Sequence, residues 1–169
     1  MEGQESAAVT GSRAAWRSRR RISVVRTVSF VLLVVVLAQY AVGMVVNLFV
    51  TIPAHHPGAK PSDYFSGSAS SVAWAIAHGS VSLAVHAALG LALVVAAIIA
   101  AVLAGYVGRR GVTAAAWLGA ACVLGAGFNG ASFLDFNQDV SSLIMALLAA
   151  VAIACYAVIL YAISAAAGS

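Results

Sequence analysis

The sequence predicts an all-α fold, an antiparallel four-helix transmembrane bundle with both termini cytoplasmic, and three observations carry that prediction. Charge is scarce, apolar residues fall in four long runs, and the arginines collect at one set of run ends. Hydrophobic residues make up 63% of the 169-residue chain and charged residues 8%, where a soluble domain carries about 25% charged residues. So little charge cannot keep a surface wet, and lipid must cover much of it.

Residues 1–26 are expected to form a disordered basic cytoplasmic tail. They hold Arg13, Arg17, Arg19, Arg20, Arg21 and Arg26 against Glu2 and Glu5, whereas beyond them Lys60, Arg109 and Arg110 balance Asp63, Asp135 and Asp139. Residues 18–22 resemble a twin-arginine export signal. The apolar run that follows, 27–50, exceeds the roughly 7–15 residues of a signal core, and no small-x-small cleavage site follows it. It reads as a retained first helix. The basic cluster then orients the helix and meets anionic lipid heads. Nucleic-acid binding is not expected, because the rest of the chain has no basic face.

Residues 51–70 hold all three prolines and Lys60 and read as one sizeable external loop. The second run, 71–108, is longer than the roughly 20 residues a span needs. Counting back from Arg109 at about 1.5 Å per residue puts its outer boundary near His86. Residues 71–82 would then lie along the interface or project from it. The third helix, 112–134, is rich in small-x-x-x-small pairs that let helices approach closely in lipid. The acidic turn 135–139 follows, and the fourth helix runs over 140–164. Eight of the nine basic residues fall on one side of this layout, so that side is cytoplasmic. The domain 27–169 is thus a multi-pass unit of an inner (plasma) membrane, and the Ala-, Val- and Gly-heavy composition suits a bacterial one.

Polar side chains gather in the outer halves of the helices. Gln39, Met44 and Asn47 lie on the first helix, His78 and His86 on the second run, Asn129 and Ser132 on the third, and Ser141, Ser142 and Met145 on the fourth. Such groups are either hydrogen-bonding glue between helices or the lining of an outward-facing pocket. Imidazole is the commonest metal ligand, so His86 is a candidate haem b ligand. Met145 or Met44 would supply the second axial atom. Gln39, Asn47 or Asn129 would occupy the other ring nitrogen. His55 and His56, with His78 and an aspartate, form a candidate Zn or Cu site. Cys122 and Cys155 count to different depths, which argues against a bridge.

No P-loop, G-x-S-x-G or H-E-x-x-H occurs, and the helix cores lack Asp, Glu and Lys. Hydrolytic, phosphoryl and proton-pumping chemistry are not expected. The run His86-Ala87-Ala88-Leu89-Gly90 looks like the H-x-x-L-G element of small four-helix bacterial membrane proteins similar in layout to b-type membrane cytochromes. That resemblance implies haem held by axial ligands on facing helices, with His86 at the matching position. The group often places a second His on the fourth helix. Here Met145 is the nearest substitute. Three functions follow as expectations: haem-b electron transfer near the outer surface, a non-enzymatic accessory subunit or homo-oligomer, or an outward-facing metal or small-ligand binder.

Overall fold

The computed structural model describes residues 2–165, with side chains from Trp16 onward. Residues 1 and 166–169 lie outside the described part, and with them the last four residues of the expected 27–169 domain. Five helices follow in order: α1 Glu2–Phe49, α2 Tyr64–His78, α3 Val81–Gly105, α4 Arg110–Phe136 and α5 Asp139–Ala165. No strand occurs among the described residues. The helices α1, α3, α4 and α5 are each long and apolar enough to cross a membrane.

The fold departs from expectation first in α1. Helix continues through residues 16–26, within the segment expected to be disordered. The physical reason is local: no Gly or Pro stands between Trp16 and Tyr40, and Arg and Ala are strong helix formers. At 48 residues, α1 is about 72 Å long. A bilayer core is only about 30 Å thick, so the early turns extend beyond it.

The second departure lies between residues 51 and 108. The expected loop ends at Asp63 rather than at residue 70, and the expected single run splits into α2 and α3. Asp63 starts α2 by accepting a hydrogen bond from Ser66 N at 2.8 Å. Ser80 starts α3 by accepting from Leu83 N at 3.4 Å. Between them Gly79 adopts an extended conformation while its N–H still reaches Ala75 O. A side-chain acceptor at a helix start satisfies amides that otherwise have no partner, so two caps and a glycine convert one apolar run into two helices. The bounds of α4 and α5, by contrast, lie within two residues of those expected. Asn137 closes α4 with φ of 51°, a left-handed conformation that Asn tolerates.

Each long helix touches two others: α1 and α4 both pack on α3 and on α5. The closed ring buries Leu32 and Val36 of α1, Ala97 and Ala101 of α3, Ala116 and Ala120 of α4, and Ala152 and Tyr156 of α5. Such small residues permit close approach. A Cβ on Gly119 would stand 3.3 Å from Cys155 Cβ, and one on Gly125 would stand 3.0 Å from Leu148 Cδ1. The small-residue stripe of α4 is therefore engaged inside the bundle, against α5. Cys122 and Cys155 are both free and buried. A second apolar cluster of Val46, Ile52, Ala75, Leu83 and Leu134 lies where α2 packs on α3 and α4.

Candidate functional site

The candidate site lies in the half of the bundle that carries α2, where α1 and α3 meet. His86 sits in the second turn of α3 and lies against Gly43 of α1. A Cβ at position 43 would stand 2.8 Å from His86 Cε1, closer than real Cβ contacts, so only glycine leaves room for the ring. One turn earlier on α1, Gln39 Nε2 donates to His86 O at 2.9 Å. One turn beyond His86, Gly90 faces that amide, with a Cβ there 3.3 Å from Gln39 Nε2. A glycine on each helix thus accommodates the polar side chain of the other. Gln39 Oε1 and His86 Nδ1 are nonetheless buried without a hydrogen-bond partner. Each such group costs about 1–3 kcal/mol.

Above this pair the chain builds a polar cover from the loop 50–63, α2 and the end of α4. Asp135 is 2% exposed. Its Oδ2 accepts from Ser68 Oγ at 2.7 Å and its backbone oxygen accepts from Lys60 N at 2.9 Å. Its Oδ1 has no partner. Tyr64 OH donates to Phe128 O at 3.1 Å and lies 2.8 Å from Ser132 Oγ. His56 places Nε2 3.1 Å from Leu134 O and Nδ1 3.0 Å from Pro57 O, and its ring stacks on Trp74 at 4.5 Å. Gly58 makes the turn with φ of 91°, and a Cβ there would collide with Gly67 O and Ser71 Oγ. The backbone N–H of Ser66, and then its side chain, hold the Asp63 carboxyl below its ordinary 3.8.

The residues singled out from the sequence divide sharply. His86 and Gln39 do meet, although through the His86 backbone oxygen rather than the ring. Asn47 instead accepts from Ser142 Oγ at 2.8 Å. Asn129 donates to Gly125 O of its own helix at 2.8 Å. Met44 is 43% exposed on the outside of α1. Met145 of α5 lies against Gly130 of α4, its Sδ 3.3 Å from where a Cβ would stand. His86 and Met145 thus stand on helices that both pack on α1 and α4 but not closely on each other, and each side chain is seated against a glycine of a neighbouring helix.

His55 and His78 are exposed, while both nitrogens of His56 face backbone carbonyls. Among the described residues no group of three His, Cys, Asp or Glu is placed to hold a metal ion. The residues that sequence reasoning missed are Tyr64 and Ser68, which join α2 to α4, and the buried Tyr156, whose OH has no partner. Asp63 before Ser66 was the legible signal for the first two, since it marks a helix start that places both on one element. Tyr156 carries no such signal. Comparison of the chain with protein-family models, with curated proteins and with solved structures finds no match.

Proposed function

We propose that this chain is a non-catalytic, multi-pass plasma-membrane protein that serves as an accessory subunit of a larger membrane assembly. The observation behind this reading is the interlocked cover. The side chains of Ser68, Tyr64 and His56 bond to fixed groups on α4 and the loop, so they hold a surface rather than line a reaction site. The antiparallel order of the bundle is supported by its tight turns, residues 106–109 between α3 and α4 and 137–138 between α4 and α5. Orientation is supported by charge. Arg17, Arg19, Arg20, Arg21 and Arg26 belong with Arg109 and Arg110 at one end, and Asp63, Asp135 and Asp139 with Lys60 at the other, which makes the arginine end cytoplasmic. Outward apolar side chains such as Phe30, Val34 and Leu37 of α1 then face lipid or a partner helix.

Native mass spectrometry of the protein taken from its own membrane in mild detergent tests the reading. The expected result is a stoichiometric complex with a second polypeptide or a second copy. A bare monomer across several detergents, with no crosslinked partner, overturns it. A second reading has the unpartnered Gln39 Oε1 and His86 Nδ1 behind it: a small polar ligand or metal at His86, with haem as the coloured case. Its check is a visible spectrum and metal analysis of wild type beside His86→Ala. A Soret band or bound metal lost in the variant would replace the accessory reading, and identical colourless, metal-free samples would end this one.

A further inference from the structure

The arginine end carries a feature that the accessory reading does not use. Arg17 and Arg21, one turn apart on α1, line a cleft of about 220 Å³ with Ser18, Tyr106 and Val107. Arg21 Nη1 reaches Tyr106 O at 3.5 Å, which steadies the guanidinium at the edge of the cleft and leaves its other N–H donors free to bond.

Carbonyls at the end of α3 would ordinarily repel an anion here, but they are engaged. Leu103 O and Ala104 O accept from Tyr106 N and Val107 N at 3.1 Å each, Ala104 O also accepts from Thr113 Oγ1, and Tyr106 O accepts from Arg21. Immediately after Val107, Gly108 turns with φ of 75° and α4 begins. Its N-cap, Arg109, makes no side-chain capping bond. The first amides of this 27-residue helix therefore lack a side-chain acceptor and carry the positive end of the helix dipole. No Asp or Glu occurs between Trp16 and Ser62 or between Tyr64 and Leu134, so nothing acidic on α1 from Trp16 onward, on α3 or at the start of α4 opposes an anion. Tyr106 of the cleft and Trp16, next to Arg17 in sequence, are both more than half exposed. Exposed Trp and Tyr suit the headgroup level of a bilayer.

We propose that this cleft binds the phosphate group of an anionic lipid headgroup, with the Arg17 and Arg21 guanidinium forks as donors. Guanidinium matches phosphate geometry in a way a point charge does not. The site differs from diffuse attraction to a basic tail because it needs two particular arginines. Arg20 instead lies over the Trp16 ring at 5.5 Å, and Arg19 does not line the cleft.

The test uses the full-length chain in mild detergent, titrated with diacylglycerol phosphate and followed by native mass spectrometry. Arg17→Gln/Arg21→Gln should bind about a hundredfold more weakly, the loss of roughly two charge-assisted hydrogen bonds. Arg19→Gln/Arg20→Gln removes the same charge and should stay within about twofold of wild type. Equal weakening in both double variants overturns the site in favour of diffuse attraction. Inorganic phosphate at matched concentration should leave the lipid bound, and displacement would assign the cleft to a free anion and overturn the headgroup. If the glutamine variant does not fold, Arg17→Lys/Arg21→Lys decides the matter. It keeps the charge but loses the forks, so weakened binding is expected and unchanged binding overturns the proposal.

Discussion

The two ends of the bundle use polar residues in opposite ways. At the α2 end the bonded ones are uncharged or singly acidic, half-buried or buried, and tied to fixed groups: Asp135 to Ser68, Tyr64 to Ser132, His56 to Leu134. At the arginine end they are cationic, mostly exposed, and reach few partners at long distances, such as Arg21 to Tyr106 O at 3.5 Å and Arg109 to Ala162 O at 3.3 Å. The difference follows from what each end must do in a low-dielectric slab. A buried polar group without a partner costs far more than an exposed one, so the covered end has to close its network. The exposed end keeps water or headgroups as partners and can stay open. Stability should therefore depend on single residues at the first end and hardly at all at the second.

That contrast can be broken by experiment. The largest effect is expected from Gly58→Val, where the side chain would collide with Gly67 O and Ser71 while holding a left-handed φ. Overpacking and backbone strain together should cost about 3 kcal/mol or more, seen as a lowered melting temperature in detergent. Asp135→Ala comes next. It leaves Ser68 Oγ without its acceptor inside the cover and should destabilise by about 1–3 kcal/mol, with faster hydrogen exchange in α2 than in α5. A smaller effect should accompany acidification. Asp63 has a folded pKa below its ordinary 3.8, so its contribution is present above that value and is lost as pH falls through the depressed one. Protection of the Ser66 amide, taken relative to its intrinsic exchange rate, should fall in wild type as pH drops through that depressed value and be low at every pH in Asp63→Ala. The smallest effect belongs to Arg109→Gln, which loses a long bond to the last turn of α5. A change under about 1 kcal/mol is expected. A loss at Arg109 as large as that at Asp135 would end the contrast.

The candidate site was only partly legible. His86 and Gln39 could be paired from their depth on two apolar helices, because a polar group in hydrocarbon needs a neighbour. Which atoms meet could not be read, and the amide turns out to serve the backbone oxygen of His86. Asn47 and Asn129 have the same chemistry and nearly the same depth, yet one faces Ser142 and the other its own helix. Depth follows from counting residues, whereas facing depends on how each helix is rotated about its axis. Met44 makes the same point, since its exposed position on α1 is a matter of rotation alone.

Four long apolar helices, the bounds of α4 and α5, and the segregation of arginine from aspartate were determined by the sequence alone. Hydropathy and charge act on each segment independently of what it packs against. Tertiary structure decided the rest: that the run from 71 breaks at Gly79, that α2 folds back over α3 and α4, and that Gly119, Gly125 and Gly130 of α4 make room for α5. Those outcomes depend on partners far apart in sequence, such as Ser68 with Asp135 or Gly43 with His86, and a residue's partner is fixed only when whole helices choose their neighbours.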